Sequence, residues 1–270
     1  MSRIECRFDT LKQQGKKALI PYITAGDPSP EITVALMHRL VAAGADILEL
    51  GVPFSDPMAD GQVIQKACER ALKAGTTLPR VLAMVKEFRQ QDLDTPVVLM
   101  GYLNPIESMG YQCFAKEAAA HGVDGVLTVD VPPEEAKLLL EAYTDHQLEP
   151  IFLLAPTSTP KRIEQVCKLA KGFIYYVSLK GVTGSNALDI KEVGERVASI
   201  RHYTSIPVGV GFGIHDPHSA AQIATVADAA VVGTALIKYI EQYQNDSEKI
   251  LEEVSAVLHA MRVEIDKVTL

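Results

Sequence analysis

The sequence predicts an α/β protein built as a (β/α)8 barrel of the TIM-barrel kind, one domain over residues 1–270 with an extra N-terminal helix and inserted helices. Three observations carry that prediction. Eight short apolar runs recur along the chain, amphipathic stretches lie between them, and no Pro/Gly/Ser-rich linker or low-complexity segment interrupts the alternation. Strands alternating with helices pair in parallel through right-handed crossovers. An open doubly wound sheet satisfies the same alternation, but a count of eight favours closure.

Ahead of the first strand, Phe8 and Leu11 stand one helical turn apart, which predicts a short helix capping the barrel bottom. Strands are expected at 18–24, 47–52, 96–103, 125–131, 149–155, 172–179, 207–213 and 228–233, runs rich in Val, Ile, Leu and Tyr bounded by Gly, Pro or Asp. Residues 30–43 place Ile32, Leu36, Leu40 and Val41 on one stripe, a helical period. The stretch 61–91 exceeds one helix and is expected to break near 75–79. A helix over 133–146 would open on Pro133, with Glu134 and Glu135 in a first turn that favours carboxylates. Thr159 before Pro160 reads as the N-cap of a helix over 159–170.

Hydrophobic residues make up 47% of the chain and charged residues 22%, the balance of a globular protein with a large core. A net charge of -8 argues against nucleic acid and anionic membrane surfaces as partners. It leaves a phosphorylated substrate open, because backbone N–H groups can build a phosphate site. Cys6, Cys68, Cys113 and Cys167 are widely spaced, with no C-x-x-C pair, and are expected to be small buried or half-buried side chains in a reducing compartment. The charged N-terminus shows no signal peptide, and the longest apolar runs, such as 229–237, are too short to span a bilayer, so the cytoplasm is the expected location. Seven histidines show no metal-ligand spacing; His215 and His218 read as a solvated helix start. No G-x-S-x-G elbow, Walker A or dinucleotide fingerprint is present.

Chemistry in such a barrel sits at the C-terminal ends of the strands. Glu49 is a carboxylate inside an otherwise apolar second strand, where burial raises its pKa toward proton-transfer use; a structural carboxylate held by backbone donors or a lysine is the alternative. Asp60 ends the proline- and aspartate-rich loop that follows, and is either functional or the N-cap of the next helix. Asp130 is a rival carboxylate, read as organising the turn before Pro132 and Pro133. Glycine-rich turns after the last three strands, at 181–184, 211–213 and 232–234, suit phosphate binding, or serve turn geometry alone.

These residues stand in longer motifs. The run 48–61, LELGVPFSDPMADG, resembles the signature of the tryptophan synthase alpha chain family, and so do 100–106, 154–159, 175–178 leading into 181–184, and 211–214. The resemblance covers nearly the whole chain. It implies a lyase of tryptophan biosynthesis that splits indole-3-glycerol phosphate into indole and glyceraldehyde 3-phosphate. It implies Glu49 as the acid/base carboxylate and Asp60 as the carboxylate at the indole nitrogen. Gly184, Gly213, Gly233 and Thr234 correspond to the phosphate cradle, and Tyr22, Met100, Tyr175, Thr183 and Phe212 to the substrate walls and lid. Tyr22 stands where the family often has Phe, so its hydroxyl needs a partner or water; Met100 stands for a more usual Leu and Thr234 for Ser.

The implied chemistry asks for no metal and no cofactor in this chain. The resemblance further implies a beta-chain partner carrying pyridoxal phosphate, in an α2β2 heterotetramer. Docking is expected on Pro53, Asp56, Pro57, Asn104, Pro105 and Pro132, and the loop 180–189 reads as a lid. Two other readings compete. Lys180 after the sixth strand would suit a Schiff-base aldolase, and a non-catalytic activating subunit would need neither carboxylate.

Overall fold

The computed structural model describes residues 1–178, 189–211 and 213–268. Among them eight strands and twelve helices run in the order α1 (Arg3–Gln13), β1 (Ala18–Thr24), α2 (Pro30–Ala42), β2 (Leu48–Gly51), α3 (Gln62–Lys73), α4 (Leu78–Phe88), β3 (Val97–Gly101), α5 (Leu103–Met109), α6 (Tyr111–Ala120), β4 (Gly125–Thr128), α7 (Lys137–Asp145), β5 (Glu149–Leu154), α8 (Pro160–Leu169), β6 (Ile174–Val177), α9 (Ile190–Arg201), β7 (Val208–Gly211), α10 (Pro217–Ala224), β8 (Ala229–Val232), α11 (Thr234–Gln242) and α12 (Ser247–Ile265). The strands pair in parallel with their chain neighbours, and β1 pairs with β8 to close the barrel.

Side chains alternate across each strand. One set, including Leu48, Leu50, Val97 and Leu99, packs outward into the layer beneath the helices. The other, including Ile20, Val98, Leu127, Ile151 and Val231, fills the barrel. Helix α1 joins that inner set as expected. Ser2 and Glu5 form a capping box, and Ile4, Phe8 and Leu11 close the bottom, with Phe8 6.1 Å from the ring of Phe173.

The bottom rim repeats one device three times. Asp46, Asp124 and Asp228, just before β2, β4 and β8, accept the backbone N–H groups of Leu19, Val97 and Val208 on the preceding strand at 2.8, 2.8 and 2.9 Å. Each also pairs with an arginine from the outer helices: Arg262 at 3.0 Å, Arg89 at 2.7 Å and Arg201 at 2.7 Å. These bonds satisfy the buried carboxylates of Asp46 and Asp124 and the half-buried one of Asp228, which would otherwise oppose folding.

Several boundaries differ from expectation. The strands expected at 96–103, 125–131 and 207–213 end sooner, because pairing stops once the chain turns out over the rim; α5 already starts at Leu103. The helix expected from Pro133 begins at Lys137, and the Glu135 N–H instead closes a turn onto the Pro132 carbonyl at 3.0 Å. Helices α3 and α4 break at Gly75, φ +78°, with Thr77 at the next N-cap position. Cys68 is buried and Cys167 half-buried, but Cys6 and Cys113 are exposed on the solvent faces of α1 and α6, contrary to expectation. Among the described residues no helix is long and apolar enough to cross a membrane.

Candidate active site

Glu49 lies within β2, register partner of Tyr22 on β1 and Val98 on β3. Its neighbours Leu48 and Leu50 point outward, so alternation sends Glu49 into the barrel. It is 1% exposed, and neither carboxyl oxygen has a hydrogen-bond partner among the described residues. Burial, with the Asp60 carboxylate adding to it, pushes its pKa to about 8. The structural alternative required backbone donors or a lysine, and the described residues supply neither.

Asp60 could have capped α3, but Gly61 holds the N-cap position and makes no side-chain bond. The Asp60 carboxylate instead accepts from the Tyr102 hydroxyl, Oδ2 to Oη 2.8 Å. Burial raises its pKa, and the Tyr102 bond works against that rise.

The hydroxyl of Tyr22 finds a partner in Thr24, Oη to Oγ1 3.1 Å. The phenol lies over Gly51, where a Cβ would collide with it, and Tyr175 lies the same way over Gly211 on the next strand. Burial drives both phenols well above their ordinary pKa, and the neighbouring Glu49 and Asp60 carboxylates add to the rise. Met100, partly buried, sits beside Gly51 and Leu127 in the ladder. The structure therefore brings Glu49, Asp60, Tyr22 and Tyr175 into one electrostatic neighbourhood at the C-terminal end of the barrel.

On the opposite rim segment, Gly213 adopts φ +79°, and Gly233 occupies the N-cap position of α11 with Thr234 as its first residue. The first N–H groups of a helix have no intrahelical acceptor and suit an anion. The Tyr22 ring lies 3.3 Å from where a Cβ at Gly233 would stand, so the two halves of the site adjoin. Thr183, Gly184, Phe212 and Lys180 lie outside the described residues.

Of the expected docking residues, Asp56 is exposed and accepts from Ser55 Oγ at 2.5 Å, and Pro57 is partly exposed. Pro53 is buried at the root of its loop. Asn104 and Pro105 lie in helix α5 rather than in a loop. Pro132 opens the turn before α7. Asp130 has the structural role expected of a hydrogen-bonding carboxylate, but at a different place: its Oδ1 accepts the Leu103 N–H at 2.8 Å, at the start of α5. His215 and His218 flank Asp216, which caps α10, and no group of three or more potential metal ligands exists among the described residues.

Sequence reading missed Tyr102. The available signal was alternation: two residues beyond Met100, it falls on the same side of the β3 line.

Comparison with known proteins agrees over the whole chain. The family model described as "Tryptophan synthase alpha chain" matches residues 8–266. The tryptophan synthase alpha chain of Nitrosococcus oceani is 70% identical over 98% of both chains, and that of Marinobacter nauticus 59% over 98% of both. The crystal structure of tryptophan synthase subunit alpha from Legionella pneumophila superposes with a TM-score of 0.92 at 46% identity, covering 99% of this chain and all of that one. A protein so similar in sequence, and in the same closed barrel from end to end, belongs to the tryptophan synthase alpha chain family.

Proposed function

We propose that this chain is the lyase subunit that cleaves indole-3-glycerol phosphate to indole and glyceraldehyde 3-phosphate, with Glu49 and Asp60 as its catalytic pair. The observation that carries the assignment is the buried carboxyl of Glu49 within β2, which has no hydrogen-bond partner among the described residues. A carboxyl with a pKa of about 8 is protonated at neutral pH and can give that proton to carbon 3 of the indole ring. The ring then carries positive charge at its nitrogen, which the Asp60 carboxylate stabilises. The bond between carbon 3 and the glycerol chain breaks, its electrons returning to the ring. The adjacent hydroxyl loses its proton to Glu49 and becomes the aldehyde. One proton has moved from oxygen to carbon, and Glu49 is restored.

Tyr22, Met100, Tyr175, Thr183 and Phe212 form the walls and lid around the indole. Gly184, Gly213, Gly233 and Thr234 hold the phosphate and so orient the reacting bond. An alpha chain has a beta-chain partner, which we place on the loops bearing Asp56, Pro57, Asn104, Pro105 and Pro132, with buried Pro53 stiffening the root of the first. The full assembly is an α2β2 heterotetramer in the cytoplasm, with pyridoxal phosphate in the beta chain. Measuring indole release from indole-3-glycerol phosphate by the purified chain, with and without beta chain, tests this. Slow release that accelerates with beta chain is expected. No release in either condition, or covalent trapping of substrate by borohydride, overturns it.

A further inference from the structure

Tyr102 lies between β3 and α5, and the chemistry above does not use it. It is 4% exposed, and its phenol makes two bonds to the loop after β2: Oη accepts from the Ala59 N–H at 3.0 Å and meets Asp60 Oδ2 at 2.8 Å. Its ring stacks on Phe54, near the start of that loop, with centroids 5.1 Å apart and planes 30° off parallel. A backbone N–H can only donate. Ala59 therefore occupies a lone pair of the phenol, and the single phenolic hydrogen is committed to Asp60. Burial, with the Asp60 bond adding to it, raises the Tyr102 pKa, so that hydrogen stays in place. The next residue extends the connection, since the Leu103 N–H donates to Asp130 at the end of the β4 segment. Two consecutive residues thus tie together the loops after β2, β3 and β4.

We propose that Tyr102 is the positioning residue for Asp60: its hydroxyl holds Oδ2 and presents Oδ1 to the ring nitrogen of the substrate. The proposal rests on the reading of Asp60 given above. Around Asp60 stand Glu49 from β2, Tyr22 from β1, Tyr175 from β6 and Cys68 from α3. Burial leads in keeping each protonated, Glu49 up to about 8 and Cys68 up to about 11. Among the described residues, the Tyr102 hydroxyl is then the group that favours the charged form of Asp60 against its own burial.

The test is Tyr102→Phe in the full chain, which keeps the stack on Phe54 and removes one oxygen. Carbon-13 NMR of labelled aspartate carboxyls, with Asp60→Asn identifying the resonance, reads Asp60 without any turnover. Its titration is expected to move to higher pH. In the cleavage assay kcat is expected to fall by about ten- to a hundredfold, the size of a hydrogen bond to a charged group. The acid limb of the kcat profile should move with the NMR titration, KM should change less, and Tyr102→Phe should cost nothing further in an Asp60→Asn background. An unmoved Asp60 titration, or a loss that multiplies with that of Asp60→Asn, overturns the proposal. A shifted titration with unchanged kcat supports the hydrogen-bond link and overturns the reading of Asp60 as a catalytic group, together with the substrate part of the proposal.

Discussion

Tyr22 reaches from β1 across to β2 and lays its hydroxyl over the α-carbon of Gly51, in the space a side chain there would fill. Gly51 is not among the residues with positive φ, so the position needs glycine for room and not for backbone freedom. Gly51→Ala is expected to force the phenol aside, at about 1–3 kcal/mol for overpacking. Thermal unfolding should show a lower Tm and the cleavage assay a weaker enzyme. Adding Tyr22→Leu should recover the Tm without recovering the KM. Wild-type stability in Gly51→Ala alone would show that the contact does not constrain the site.

Glu49→Gln is expected to lower kcat by about 10²–10⁴, the worth of a general acid/base, with KM little changed. In the wild type, kcat should fall as pH rises through about 8, because the ionised form has no proton to give. Stability should follow the same group. Its folded pKa lies above the ordinary 4.5, so its contribution is fully present below 4.5 and is lost as pH rises through about 8. Chemical denaturation between pH 4 and 9 should show this decline in the wild type and a flatter curve in Glu49→Gln. Parallel curves would mean that Glu49 is ionised in the folded protein at neutral pH.

Replacing Gly213 or Gly233 by valine is expected to raise KM with a smaller change in kcat. At Gly213 the side chain would also strain a backbone at φ +79°; at Gly233 it would press on the Tyr22 ring. Inorganic phosphate at about a hundred times its Kd should stabilise the wild type by about 2.7 kcal/mol and the valine variants less. Equal protection of all three would place the anion elsewhere.

Arg89 donates to Asp124 Oδ2 at 2.7 Å and to the carbonyls of Gly122 and Thr95 at 2.9 and 2.7 Å. Arg89→Met should cost about 3 kcal/mol, the low end for breaking a buried pair, because Arg3 still reaches Asp124 at 2.8 Å. Urea denaturation measures the loss. The cleavage kcat of the folded variant should stay near wild type, since these bonds lie at the bottom rim; a matching fall in kcat would show that the two rims are coupled.

The barrel was legible because alternation of apolar strands with amphipathic stretches leaves few architectures that bury both faces of eight strands. Helix α1 was legible because Phe8 and Leu11 repeat at helical spacing with no other surface to cover. Boundaries were less so: Tyr102 and Leu103 are apolar enough to continue a strand, but the ladder ends at Gly101. Glu49 stood out as a charge in an apolar strand, yet the same sign misleads elsewhere. Glu149 also lies in a strand, is 6% exposed and has a pKa raised by burial to about 6, but it opens β5 at the opposite end of the barrel. What each carboxyl meets separates the two, Ser2 at the barrel bottom for Glu149 and Asp60 at the other rim for Glu49, and that follows from topology. The Tyr102–Asp60 bond joins residues 42 apart in sequence and becomes visible only once β2 and β3 lie side by side.

The clasp of Arg262 onto the Lys17 carbonyl and Asp46 has a consequence for the protein during its own synthesis. Arg262 stands 245 residues after Lys17, and the β8 partner of β1 spans residues 229–232. While the chain leaves the ribosome, β1 keeps one edge unpaired until β8 emerges, and the carboxylate of Asp46 lacks its direct ion pair with Arg262 until α12 follows. An open parallel edge invites association with other nascent chains. Helix α12 therefore acts as a latch on the first two strands, and the barrel commits to its closed form only after Arg262 has been made.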